Sequence, residues 1–219
     1  CYLKFKFGHK FIGREKYKEC KDTGFFIYSN HTQAFSDTFT TSMSVLPKRN
    51  YLIVHPANIS VKPFGGLVEL LGAIPIPGNV TATKKFMDVI EDRVVNKKQS
   101  ITIYPEAHIW PYYVGIRNFK AVSFTYPVKL NKPVFCVTNT YQKENNSSKV
   151  KMVSYIDGPF YPDMSLNKKD AQNKLRDIVY EKMVERAKNS NVEVVKYIKN
   201  IDNLTNMNDN SNVEKSERN

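Results

Sequence analysis

Two short apolar runs in this chain stop in the same way, and that shared stop constrains the fold more than any other feature. In the first, Gly24-Phe-Phe-Ile-Tyr-Ser-Asn breaks into a polar turn that carries His31 and, six residues later, Asp37. In the second, Ile101-Thr-Ile-Tyr runs into Pro105, Glu106 and then His108. Aromatic and β-branched runs of this length read as strands. Two strands that each end in ionisable residues predict one shared edge of an α/β sheet, where such folds bind their ligands.

The rest of the chain alternates in keeping with that reading. Residues 25–29, 51–55, 74–76, 101–104, 133–138 and 149–156 read as strands, with a polar hairpin-like turn over 142–148. Residues 37–46, 64–71, 81–98 and 167–188 read as helices. Phe86, Ile90 and Val94 share one face of the third helix. Ala171, Leu175, Ile178, Val179 and Met183 recur at three- and four-residue intervals in the last, behind an Asn167 that can cap it. Strands alternating with helices predict a single α/β domain, its mixed or largely parallel sheet flanked by helices. That domain is expected over 24–200, between a basic amphipathic segment over 1–23 and a disordered tail over 201–219, where Asn, Ser and charged residues lose periodicity.

The first stop carries chemistry. A carboxylate on one ring nitrogen fixes an imidazole's tautomer and steadies the imidazolium while the other nitrogen removes a proton. His31 with Asp37 thus reads as a general base and its orienting partner, suited to a hydroxyl that attacks an acyl group. The competing reading is that Asp37 caps the helix that starts beside it.

Residues in this order resemble the glycerophospholipid acyltransferases of the lysophosphatidate type. Asn30-His31 with Asp37 resembles that family's first motif, and Tyr104-Pro105-Glu106 the start of its Phe-Pro-Glu-Gly-Thr-Arg block. Phe119-Lys120 stands where Phe-Lys follows that block, and Lys132-Pro-Val-Phe-Cys-Val137 resembles the apolar, proline-containing fourth motif. Leu71-Gly-Ala-Ile-Pro-Ile-Pro77 falls at the second. The departures are specific: five residues rather than four separate His31 from Asp37, and Ala107, His108 and Ile109 replace Gly-Thr-Arg. The second motif carries no cation, although the family normally has an arginine there for the acceptor's phosphate.

The resemblance implies a glycerolipid acyltransferase-like fold. It also implies transfer of a fatty acyl chain from acyl-CoA or acyl carrier protein to the hydroxyl of a lysophospholipid such as 1-acylglycerol-3-phosphate. A thioester is already activated, so no bound cofactor, metal or covalent acyl-enzyme is expected. Asn30, Glu106, His108, Arg117 and Lys120 are the candidates around the acceptor. Glu106 is expected to brace or position, and Arg117 and Lys120 to meet anionic groups, Arg117 with the bidentate reach of a guanidinium. Oxyanion donors are expected from backbone N–H groups near residues 105–107 or near the dyad. A non-phosphate acceptor is the alternative substrate.

A formal net charge of +12, from 33 Lys and Arg against 21 Asp and Glu, fits attraction to an anionic membrane surface as well as a plain solvated surface. Tyr2, Leu3, Phe5, Phe7, Phe11 and Ile12 interleave with the opening bases, which suits a headgroup layer. No motif for nucleic acid accompanies the charge. Nothing reaches the roughly 18 consecutive apolar residues of a membrane span. The chain opens on Cys1 without an initiator Met, which fits a fragment whose family often begins with a hydrophobic helix. Cys1, Cys20 and Cys136 form neither a disulfide framework nor a metal pattern, and a reducing compartment at the cytoplasmic face of a membrane is expected. Three rival classes remain: a metal hydrolase using His31, Asp37, Glu106 and His108, a thiol enzyme using Cys136, and a non-catalytic membrane-binding module.

Overall fold

The computed structural model describes residues 9–33, 36–58, 72–144 and 148–198. The helix expected over 64–71, the bases of residues 1–8 and the tail over 201–219 lie outside them. Seven strands form one sheet: β1 (Lys10–Ile12), β2 (Phe25–Ser29), β3 (Asn50–Val54), β4 (Ala73–Pro75), β5 (Ser100–Ile103), β6 (Val134–Gln142) and β7 (Lys151–Phe160). Their order is β1-β7-β6-β2-β5-β3-β4. All neighbours are parallel except the β6–β7 hairpin. Among the described residues four α-helices accompany them: α1 (Asp37–Ser44), α2 (Val80–Glu91), α3 (Thr125–Leu130) and α4 (Lys168–Ala187).

β2 lies at the centre, paired with β5 on one side and β6 on the other, and all five of its residues are buried. A strand covered on both faces needs no polar alternation, which is why Phe25 to Ser29 reads as a continuous apolar run. Its side chains still alternate between two cores. Phe26 and Tyr28 join Ile101, Ile103, Val134 and Cys136 under Phe86 and Ile90 of α2 and Ala171, Leu175, Val179 and Met183 of α4. Phe25 and Ile27 join Phe135 and Val137 on the opposite face. The register pairs Phe25 with Ser100 and Tyr28 with Ile103, so β2 and β5 run out together. Their following turns, one with His31 and one with Glu106, therefore leave from the same edge.

Several boundaries differ from expectation. Residues 10–20 belong to the domain instead of standing apart as a membrane-lying segment: β1 pairs with β7, and a 3₁₀ helix over Arg14–Cys20 follows. Tyr17 and Cys20, three residues apart, fall on one side of a helix with three residues per turn and enter the core beside Phe25 and Ile27. The long helix expected over 81–98 ends at Glu91 and is finished by a π-helical turn over Asp92–Asn96. β6 runs to Gln142, four residues beyond the expected stop, and β7 extends to Phe160. α3 was not legible as a helix.

Asp157 of β7 ties three elements together. Lys16 of the 3₁₀ helix approaches it at 2.7 Å and Arg186 of α4 at 2.7 and 2.8 Å. Burial alone would raise this carboxyl, but the charge-assisted bonds from Arg186 and Lys16 together outweigh it and hold Asp157 below the usual carboxylate value. Such a depressed group stabilises the fold fully above about pH 4, and the contribution fades as pH falls through the lowered value. Arg186→Ala is expected to cost about 2 kcal/mol, below the figure for a wholly buried pair because both cations are partly exposed. Thermal melts at pH 7 and pH 3 check this, since the gap between variant and parent should shrink in acid.

Candidate active site

The two turns at the end of β2 and β5 are laced together. His31 N–H donates to Glu106 Oε2 at 3.1 Å, Trp110 N–H to His31 O at 3.0 Å, and Tyr112 N–H to Thr32 O at 2.9 Å. The second turn can double back this sharply because Ala107 and Tyr112 both adopt positive φ. Glu106 is the main brace. Its carboxylate also accepts Arg117 N–H at 2.8 Å and the Arg117 guanidinium at 3.0 Å. That guanidinium further donates to His108 O and lies 4.9 Å from the Trp110 ring centre.

His31 and Asp37 meet. Nδ1 of His31 lies 2.8 Å from Asp37 Oδ2, and the extra residue between them is absorbed without opening the pair. The same oxygen accepts Thr32 N–H and Gln33 N–H, each at 2.9 Å, so Asp37 folds the turn as well as orienting the ring. With Nδ1–H donating to a carboxylate, the neutral ring carries its lone pair on Nε2. The His31 side chain keeps 18% of its surface exposed while Asp37 keeps 1%. Burial pushes the Asp37 carboxyl up, and the bonds from His31, Gln33 and Thr32 oppose that rise. The arrangement can take a proton from a group arriving at the open side of the ring.

Residues outside the candidate set complete the setting. The Tyr104 ring stacks on His31 at 4.4 Å between centroids, and its hydroxyl donates to Asp37 O at 2.6 Å. Tyr141 of β6 receives Gln33 Nε2 at 2.8 Å and donates to Thr32 Oγ1 at 2.9 Å. Asn139 Nδ2 approaches Asp37 Oδ1 at 3.4 Å. The signal for Asn139 and Tyr141 is the alternation Val137, Asn139, Tyr141 past the expected end of that strand.

The other candidates separate. Asn30 is buried, with both ends of its amide bonded to the backbone of Asn139, so it fastens β2 to β6 and does not face the opening. Arg117 sits beside the dyad's brace, engaged as described. Lys120 is exposed at the start of a 3₁₀ turn over Ala121–Phe124, and His108 is exposed beyond Glu106. The backbone N–H groups of Ala107 and His108 are taken by Tyr104 O and Glu106 O, and those of residues 31–33 by carboxylates, so these are not free for an oxyanion. Among the described residues no three His, Cys, Asp or Glu side chains converge as a metal site. Cys136 is fully buried and burial pushes its thiol up, the reverse of what a nucleophilic cysteine needs.

Glu106→Gln keeps the side chain's shape but turns a donor toward the Arg117 and His31 donors. It is expected to lower turnover about tenfold, equivalent to about 1.4 kcal/mol. Steady-state assays beside melting curves check this, with binding of the acyl donor little changed.

Comparison with known proteins adds two findings. A family model described as Acyltransferase matches residues 9–139. Among solved structures, the chain is similar to the 1-acyl-sn-glycerophosphate (LPA) acyltransferase PlsC from Thermotoga maritima, with a TM-score of 0.57 and 15% identity. That match covers 87% of this chain and 74% of the other, and at such identity it speaks for the shared fold. No protein of curated function matches the chain.

Proposed function

This chain belongs to the acyltransferase family, and from that premise we propose that it moves a fatty acyl chain from acyl-CoA or acyl carrier protein to the hydroxyl of a lysophospholipid such as 1-acylglycerol-3-phosphate. The observation that carries the reading is the closed His31–Asp37 pair, one ring nitrogen braced by the carboxylate and the side chain still 18% exposed at the edge where α/β sheets bind their ligands. His31 Nε2 takes the acceptor's hydroxyl proton as its oxygen attacks the thioester carbonyl. The tetrahedral intermediate then expels the thiolate, which receives that proton from the imidazolium. The products are an ester and a free thiol, with no acyl-enzyme in between. Asp37 orients the ring and steadies its charge, as in other base–carboxylate pairs.

Glu106 and Asn30 act as braces in this reading, while Arg117, Lys120 and His108 supply positive or polar groups for the acceptor or the carrier's phosphates. The net charge of +12 supports docking on anionic lipid at the cytoplasmic face of a membrane. Among the described residues no helix is long and apolar enough to cross a membrane. One observation favours a second reading, an acceptor without phosphate. Ile109 stands where the family pattern has arginine, and Arg117 is already engaged by Glu106 and His108 O.

The test is incubation of the protein with labelled acyl-CoA or acyl carrier protein and a panel of lysophospholipids, phosphate-free alcohols and amines. Transfer to lysophosphatidate is expected. Transfer confined to phosphate-free alcohols selects the second reading, and vesicle binding without any transfer rejects both in favour of a binding module.

A further inference from the structure

We propose that Asn139 and Ser154 are positioning residues of the dyad, the inner links of a hydrogen-bond chain that starts at His9 and ends on the free oxygen of Asp37. The inference rests on the acyl-transfer reading above. Asp37 Oδ2 is occupied by His31, Thr32 and Gln33, while Oδ1 faces the Asn139 amide nitrogen at 3.4 Å. The Asn139 amide oxygen in turn accepts the Ser154 hydroxyl at 2.5 Å, and Ser154 Oγ lies 2.7 Å from His9 Nε2. Asn139 and Ser154 come from β6 and β7, and His9 immediately precedes β1, the next strand of the sheet.

The direction of every bond follows from the groups involved. A carboxylate only accepts, so Asn139 must turn its NH₂ toward Asp37 and its oxygen toward Ser154. The serine proton is then committed to Asn139, and His9 must donate through Nε2–H. That leaves His9 Nδ1 as a bare lone pair, and this atom is buried without a partner. Burial holds His9 down at about 4, so its ring stays neutral in the tautomer the chain requires. All links therefore donate one way, from His9 through Ser154 and Asn139 to Asp37, and bonds aligned like this strengthen one another. The last link is the longest, as catalytic hydrogen bonds often are before substrate arrives.

A simple packing role explains this poorly. Asn139 and Ser154 are 1% and 0% exposed directly opposite each other across β6 and β7, a position where an apolar pair would cost nothing in desolvation. Asn139 also grips Asn30 through its own backbone N–H and carbonyl, so the residue that steadies Asp37 fixes the strand leading to His31. The titratable groups facing Asp37 are His31 from the turn, Tyr104 from the end of β5 and Tyr141 from β6. Burial raises both tyrosines, so neither brings a charge to Asp37 at neutral pH.

The test is an NMR titration of the His31 ring in the full chain, read without substrate, for parent, Ser154→Ala, Ser154→Thr and His9→Phe. With one donor fewer spreading its charge, Asp37 holds the imidazolium more tightly. Ser154→Ala is then expected to raise the His31 midpoint by about half a pH unit and to lower kcat about threefold to tenfold with KM little changed. Ser154→Thr, which keeps the hydroxyl, should restore both. His9→Phe keeps a flat ring without the donor and should move the midpoint the same way by less, which keeps the test alive if Ser154→Ala does not fold. An unmoved midpoint in a folded variant overturns the inference. Absence of acyl transfer in the parent counts against the reaction alone, because the midpoint is measured without it.

Discussion

His31→Ala is expected to lower kcat/KM for acyl transfer by about a thousandfold, the middle of what a positioned general base supplies. The loss should fall on kcat with KM little changed, because the proton moves only in the transition state. The fold should survive. The ring sits at the rim, stacked on Tyr104, and belongs to none of the apolar cores. Asp37 keeps the Thr32, Gln33 and Asn139 donors after truncation, so its buried carboxylate is not stranded. Steady-state kinetics beside a melting curve checks this. A folded variant that retains a tenth of the activity would move the base to another residue.

The second large effect concerns the fold. Gly24→Ala is expected to destabilise by about 3 kcal/mol or more, at or beyond the upper end of ordinary overpacking, and to leave little soluble protein. A Cβ at Gly24 would lie 2.6 Å from Gln99 O, 2.7 Å from Val94 C and closer still to Val94 O. All three are backbone atoms, and no rotamer change can relieve them. Gly24 leads directly into β2, whose first N–H bonds to Gln99 O at 3.3 Å, so any relief displaces the central strand. Denaturant unfolding of the soluble fraction measures the effect. A cost under about 1 kcal/mol would mean that the approach of these chains is looser than described.

The site was most legible where strands stop. The unbroken Phe25–Ser29 run followed by His31, and the 101–104 run followed by Glu106, disclosed a shared edge because central parallel strands write burial on both faces into consecutive residues. The pairing of His31 with Asp37 could be read from residue type and proximity along the chain. Asn139 and Tyr141 could not, since they reach the dyad from a strand more than 100 residues away and nothing local marks their target. Tyr17 and Cys20 were hidden for a different reason. They are spaced for a three-residue turn within a lysine-rich stretch whose charge suggested a lipid surface, and only docking beside Phe25 and Ile27 reveals them as core. Asn30 shows the limit of position in a motif: it neighbours His31 in sequence, yet both ends of its amide are spent on the backbone of Asn139 in β6.

The central claim is that one braced imidazole activates an alcohol for direct attack on a thioester. Rapid mixing of the protein with labelled acyl-CoA, with and without lysophosphatidate, tests it most directly when thiol release and the intact mass of the chain are followed together. The expected result is thiol release only when the acceptor is present, no acyl adduct on the chain, and loss of that release in His31→Ala. A burst of thiol without acceptor, matched by an acyl group on the chain, would contradict it.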